Sequence, residues 1–144
     1  MHKVFGTKEN VEYVDRTGAY LILIKDNKVG IIQTPNGFFL LGGGLENNEN
    51  DIECIKRECI EEAGYDVSVK EKICSAETYY YHEKIGYFHP IQTYYIGEII
   101  SKVSASFEKN HNFVWIDINN IKGKMFIEMQ SWALEECLKY INII

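Results

Sequence analysis

The sequence predicts an α/β (α+β) fold in which a mixed β-sheet is packed between helices. Three observations carry this reading. Runs of strand-forming residues lie on both sides of one central helical segment. That segment repeats its apolar residues at helical spacing, and a second amphipathic segment closes the chain. Strand runs divided by single helices belong to a sheet whose faces are covered by those helices.

The elements follow in order. "GAYLILIKD" (18–26) is the first strong strand, and "KVGIIQT" (28–34) follows after a turn at Asp26 and Asn27, so the two read as a hairpin. Pro35, Asn36 and Gly37 form a turn. "FFLL" (38–41) reads as one short buried strand running into Gly42, Gly43 and Gly44, where the backbone must adopt an unusual conformation or approach something closely. Asn50 with Glu53 three residues later resembles a capping box and starts the central helix. Ile52, Ile55, Cys59 and Ala63 fall at helical spacing toward the core, and Gly64 is a natural residue to end the helix. Residues 66–83 read as one or two strands, 90–100 as another, and "FVWIDI" (113–118) as another. A final amphipathic helix is expected over 128–141, with Met129, Trp132, Ala133, Cys137 and Tyr140 inward. Neither a repeat nor a linker interrupts the pattern, so 1–144 is expected to form a single domain.

The totals narrow the function. The formal net charge is −6, whereas a nucleic-acid binder shows a basic excess because phosphate contacts dominate its affinity. The longest apolar runs, "AYLILI" and "FFLL", are too short to span a bilayer, and "MHKVFGTKEN" has no apolar leader core; a cytoplasmic protein is expected. Cys54, Cys59, Cys74 and Cys137 form no CxxC pair and read as reduced thiols. The four histidines show no metal-ligand spacing. If the substrate carries phosphates, something other than net charge must neutralise them, and a divalent cation is the obvious candidate.

"RECIEEAGY" (57–65) bears directly on that point. On a helix Glu58, Glu61 and Glu62 share an arc of about 100°. Like charges on adjacent turns destabilise by roughly 0.2–0.5 kcal/mol per pair. Anions near a helix C-terminus are also disfavoured by the macrodipole. Arg57 can reach Glu61 at i+4. Two readings stand: a solvated acidic face, or an oxygen-ligand site for a hard cation such as Mg²⁺. The glycine run directly upstream and the apolar inner face that anchors the helix favour the cation site.

Segment 43–65, "GGLENNENDIECIKRECIEEAGY", resembles the Nudix box, G-x5-E-x7-R-E-U-x-E-E-x-G-U, where U is a bulky apolar residue. Gly43, Glu49, Arg57, Glu58, Glu61, Glu62 and Gly64 all fall at the required positions. Cys59 and Tyr65 stand at the two apolar positions, and Leu41 stands where many family members have a proline. The resemblance implies an α/β/α sandwich and hydrolysis of a nucleoside diphosphate derivative with Mg²⁺ or Mn²⁺. It implies that Glu58 and Glu62 are the main metal ligands, that Glu61 is a further ligand or assisting carboxylate, and that the Gly42 carbonyl is a backbone ligand. Gly43, Glu49, Arg57 and Gly64 would support loop and helix. A further catalytic acid often comes from the loop before the Trp strand, here "FEKNHN" (107–112), which makes Glu108 the candidate and His111 the second choice. Glu77, Glu83 and Glu98 are weaker candidates.

The resemblance implies a small-molecule nucleotide as partner, neither nucleic acid nor membrane, and admits a homodimer. Among ten tyrosines, most are expected to pack on the sheet; Phe39 and Tyr81 are the candidates to stack on a nucleobase. The ADP-ribose and dinucleoside polyphosphate patterns after the box are not met cleanly: Pro90 lies too far on, and Tyr81 stands beside Tyr79 and Tyr80. The compact length favours a (d)NTP or an oxidised nucleotide. Two other readings are a catalytically silent nucleotide sensor or interaction module, which usually loses one or more of the glutamates, and isomerisation of an isoprenoid diphosphate, which the short chain and intact box oppose.

Overall fold

The computed structural model describes residues 1–105 and 110–142. Its strands are β1 (His2–Gly6), β2 (Val14–Lys25), β3 (Lys28–Thr34), β4 (Gly37–Phe39), β5 (Leu41–Gly44), β6 (Tyr65–His82), β7 (Gly86–Lys102) and β8 (Asn112–Asp117). Its helices are α1 (Asp51–Ala63), α2 (Ile118–Ile121) and α3 (Glu128–Tyr140). β1 and α2 are additions to the sequence reading, and 65–82 is one continuous strand.

The sheet is mixed, as expected. β1 runs parallel to β6, β6 antiparallel to β7, β7 parallel to β2, and β2 antiparallel to β5. β3 pairs antiparallel with both β4 and β8. The β2–β3 hairpin forms at the predicted turn, where Asp26 and Asn27 both take positive φ, as a tight two-residue hairpin requires. Beyond it only Ile24 with Val29 and Lys25 with Lys28 are paired.

That divergence corrects the reading of "FFLL". A segment that pairs with both β2 and β3 must cross from one to the other. It does so at Leu40, which separates β4 on β3 from β5 on β2. Leu40 leaves the ladder there, and its buried N–H donates instead to Gln130 Oε1 on α3 at 2.9 Å. Gln130 Nε2 donates to Gln92 Oε1 at 3.1 Å, and the Tyr94 hydroxyl donates to the same oxygen at 2.7 Å.

Period-two alternation on β2 divides the core. Ala19, Leu21 and Leu23 pack with Cys54, Ile55 and Cys59 of α1 on one face. Ile22 packs with Ala133, Leu134 and Cys137 of α3, and with α2, on the other. The α/β/α arrangement follows from this two-sided strand. Asn50 caps α1 with the expected box: Glu53 N–H donates to Asn50 Oδ1 at 2.8 Å and Asn50 N–H to Glu53 Oε1 at 3.0 Å. Gly64 ends α1 in the left-handed region at φ 73°.

Two inward assignments need correction. The buried stripe of α1 is Cys54, Ile55, Cys59, Glu62 and Ala63, so the helix is rotated toward its glutamate face and Ile52 is exposed. The buried stripe of α3 ends at Cys137 and Leu138, and Tyr140 falls off it into solvent. Among the described residues, no helix is long and apolar enough to cross a membrane.

Candidate active site

The acidic face of α1 lies against the glycine strand β5. Arg57 lies among the carboxylates of α1 and of the loop before it. Its Nε donates to Glu49 Oε2 at 2.6 Å and its Nη2 to Glu49 Oε1 at 3.0 Å, a two-pronged contact. Its Nη1 donates to Glu58 Oε1 and to Glu61 Oε2, both at 3.2 Å. Nη2 also donates to the Gly44 carbonyl at 3.1 Å, tying helix to strand. The Arg57 hydrogen bond, followed by the Glu46 N–H, holds the Glu49 carboxyl down at about 2; Arg57 itself is raised, chiefly by Glu49. One cation thus offsets the like-charge repulsion that the sequence presents.

Glu62 is buried, and its Oε1 accepts the Gly42 N–H at 3.0 Å. In an antiparallel strand a residue's N–H and C=O leave on the same side. The Gly42 carbonyl therefore faces the same edge as Glu62 rather than β2. Gly42 has φ 139°, a conformation that favours glycine. Gly43 serves closeness: a Cβ there would overlap Glu58 Oε2. Glu58, Glu61, Glu62, Gly42, Gly43, Glu49 and Arg57 are therefore neighbours.

A cavity of about 410 Å³ opens beside Glu62, lined among others by Tyr20, Ile32, Phe39, Gly42 and His111. Burial and then the Glu62 charge push the Tyr20 hydroxyl well above its ordinary range. His111 Nδ1 is buried, has no hydrogen-bond partner among the described residues, and lies 3.6 Å from Glu62 Oε2. Phe39 thus stands at the cavity. Tyr81 does not line it; it is exposed near the β6–β7 turn, with its ring 5.2 Å from that of Tyr87. Glu108 lies outside the described residues. Glu77 accepts hydrogen bonds from His2 and His89. Glu98 lines a separate cavity of about 740 Å³ with Tyr65 and Trp115, and Glu83 is exposed. Sequence reasoning did not single out Tyr20, whose available signal was a lone hydroxyl within the apolar run "AYLILI".

Among the described residues, no group of three or more His, Cys, Asp or Glu side chains is drawn together as a metal cage. The donors nonetheless fit a hard divalent cation in kind: carboxylate oxygens on a rigid helix, a backbone carbonyl edge beside them, and an orphaned buried ring nitrogen at Glu62.

An acidic helix clasped by its own arginine beneath a glycine strand, within a mixed sheet between helices, is the layout of the Nudix class of hydrolases. The chain belongs to the NUDIX domain family, whose model matches residues 12–133. No curated protein matches it in sequence. It is similar in fold to a NUDIX hydrolase from Nitrosomonas europaea, at TM-score 0.74 and 16% identity over 88% of this chain and 90% of that one. It is also similar to a MutT NUDIX hydrolase from Burkholderia pseudomallei, at TM-score 0.66 and 17% identity over 85% and 98% of the two chains. An ADP-ribose pyrophosphatase from Streptococcus suis gives TM-score 0.62 and 13% identity over 88% and 91%.

Proposed function

We propose that this single-domain chain is a metal-dependent hydrolase that cleaves a diphosphate linkage in a nucleoside diphosphate derivative, with a (d)NTP or an oxidised nucleotide as the favoured class. The observation that carries the reading is the buried Glu62 carboxylate, fixed to the Gly42 N–H at 3.0 Å beside a cavity large enough for part of a nucleotide. A buried carboxylate at a cavity edge is suited to hold a divalent cation, which would offset its charge there.

Glu58, Glu61, Glu62 and the Gly42 carbonyl would hold Mg²⁺ or Mn²⁺. Bound there, the ion offsets diphosphate charge and lowers the pKa of a water. The protein's own part is orientation and proton transfer. Arg57 and Glu49 hold the helix in register with β5, so that the carboxylates face the strand rather than solvent. A carboxylate of this set, or Glu108, takes the proton of the attacking water. A new P–O bond forms as the bridging P–O bond breaks, leaving two phosphate-bearing products. Phe39 supplies a ring at the cavity for a nucleobase. We place the reaction in the cytoplasm, on a small molecule, with neither nucleic acid nor membrane as partner and with a homodimer as the assembly to test.

The test is a phosphate-release screen across nucleoside diphosphate derivatives, with Mg²⁺, with Mn²⁺ and with EDTA. Metal-dependent release from one class is expected. Silence across all classes, with metal binding still seen by calorimetry, would replace the hydrolase by a nucleotide sensor.

A further inference from the structure

Arg16 and Arg57 are the only arginines of the chain, and both converge on Gly44. Arg57 reaches the Gly44 carbonyl from α1. Arg16 approaches from β2: a Cβ built on Gly44 would lie 2.5 Å from Arg16 Nε and 2.7 Å from Nη2. Gly44 is not among the glycines with positive φ, so its backbone would accept any residue. A side chain at 44 would meet the Arg16 guanidinium, the far end of an exposed, flexible side chain that would have to give way. The third glycine therefore lets the guanidinium lie directly over the strand.

The two guanidiniums differ in what they meet. That of Arg57 is engaged by Glu46, Glu49, Glu58, Glu61 and a carbonyl. Among the described residues no carboxylate pairs with Arg16, which is exposed. Arg16 also lines a cavity of about 200 Å³ with Tyr20, Tyr80, His82, Phe88 and Gln92. Tyr20 is a wall common to this cavity and to the one beside Glu62. The charges of Arg16, Glu58 and Glu62 act on that same ring, so the arginine shares the electrostatic field of the acidic site.

A diphosphate entering a site with three glutamates, on a chain of net charge −6, needs cationic partners. Arg57 is engaged with protein carboxylates. We infer that Arg16 is a substrate-binding residue: its guanidinium receives phosphate oxygens on the Gly44 side of the site and selects substrates whose phosphate chain extends past the glutamate helix toward the second cavity. A planar, permanently charged fork is the group suited to phosphate recognition. This inference rests on the diphosphatase reading for its substrate class.

The test compares Arg16→Ala, Arg16→Lys and Gly44→Ala with the wild-type chain. Two quantities are read: KM and kcat on the substrate found by the screen, and affinity for inorganic pyrophosphate by calorimetry in EDTA. Arg16→Ala is expected to raise KM roughly tenfold or more, with kcat within about threefold, and to weaken pyrophosphate by a similar factor. Arg16→Lys should recover part of the loss, as a point charge without the fork. Gly44→Ala should shift the guanidinium and weaken pyrophosphate in the same direction, by less than Arg16→Ala. Unchanged pyrophosphate affinity in Arg16→Ala, or a wild-type chain that does not bind pyrophosphate, overturns the assignment. A wild-type chain that binds pyrophosphate through Arg16 yet hydrolyses none of the panel overturns the hydrolase reading and leaves the arginine in place.

Discussion

Gln130 on α3 accepts a hydrogen bond from the backbone N–H of Leu40, 90 positions away, at the residue where the chain crosses between two strand partners. The contact is fully buried and lies two residues before Gly42. Replacing Gln130 with Leu keeps the volume and removes the acceptor. An unsatisfied buried donor costs about 1–3 kcal/mol. Urea unfolding of Gln130→Leu should show a lower midpoint with an unchanged slope, because stability changes and the surface exposed does not. An unchanged midpoint would mean that the Leu40 N–H finds another partner.

The glutamates divide between fold and chemistry, and isosteric changes separate the two. Glu62→Gln keeps an amide oxygen for the Gly42 N–H while losing the charge. Glu58→Gln keeps the shape that fits under Gly43. Each should reduce turnover by roughly 100-fold or more, the scale of losing a proton-transfer or charge-stabilising group, with circular dichroism unchanged. Full activity in both variants would refute the site assignment.

Gly43→Ala addresses the same contact from the strand side. Its Cβ would occupy the place of Glu58 Oε2, so the carboxylate must move. Activity should fall by an order of magnitude or more, following the loss of position that misplacement of a reacting group brings. Stability should change by less than in Gln130→Leu, because a side chain can rotate where a backbone donor cannot. A Gly43→Ala enzyme with native turnover would show that Glu58 works from another rotamer.

Much of this was legible in the sequence. The box spacing located the acidic helix, the capping box at Asn50 fixed its start, and Gly64 fixed its end. The three glycines announced a close approach, and two of the approaching groups, Glu58 and Arg57, lie in the same motif. What was not legible depended on pairs distant in the chain. The split of "FFLL" follows from the divergence of β2 from β3, which no local pattern encodes. Gln130 was not singled out, because its partner is the backbone N–H of Leu40, 90 positions away, which no local pattern marks. Arg16 carried no signal of its own: it lies before the first strand read from the sequence, 18–26, and outside the box. The shared arc of the three glutamates did not show how deep each lies: Glu62 is buried, with the Gly42 N–H donating to it from β5.

The cysteines offer a check on the core. All four are buried and free. Burial pushes the Cys54 thiol up to about 11 and those of Cys74 and Cys137 up to about 12; Cys59 is raised further by burial and by Glu62. The thiolate is the reactive form, so its fraction at pH 8 is negligible. A disulfide-exchange reagent at pH 8 should label none of the four within minutes in the native protein and all four in denaturant. Rapid native labelling of any one would show that the packing around it opens.

Glu49 gives the site its pH dependence of stability. Its carboxyl sits at about 2 in the folded chain, against an ordinary 4.5, because Arg57 and then the Glu46 N–H favour the charged form. Between those values the unfolded chain binds the proton and the folded chain does not, so stability rises with pH across that interval. The contribution is therefore complete above about 4.5 and is lost as pH falls toward 2. Glu49→Gln keeps the shape of the side chain and removes the charge that Arg57 meets with two prongs. At pH 7 it should lower stability by about 1–2 kcal/mol, the range for a charge-assisted hydrogen bond on a half-buried group. Melting temperatures of the two proteins, measured from pH 7 to pH 2, should differ by a constant amount down to about 4.5 and converge below it. Carboxylates remote from Arg57, such as Glu77, which His2 and His89 hold low, act equally in both proteins and cancel in the difference. A gap that persisted at pH 2 would place the Glu49 contribution in packing rather than in the Arg57 pair.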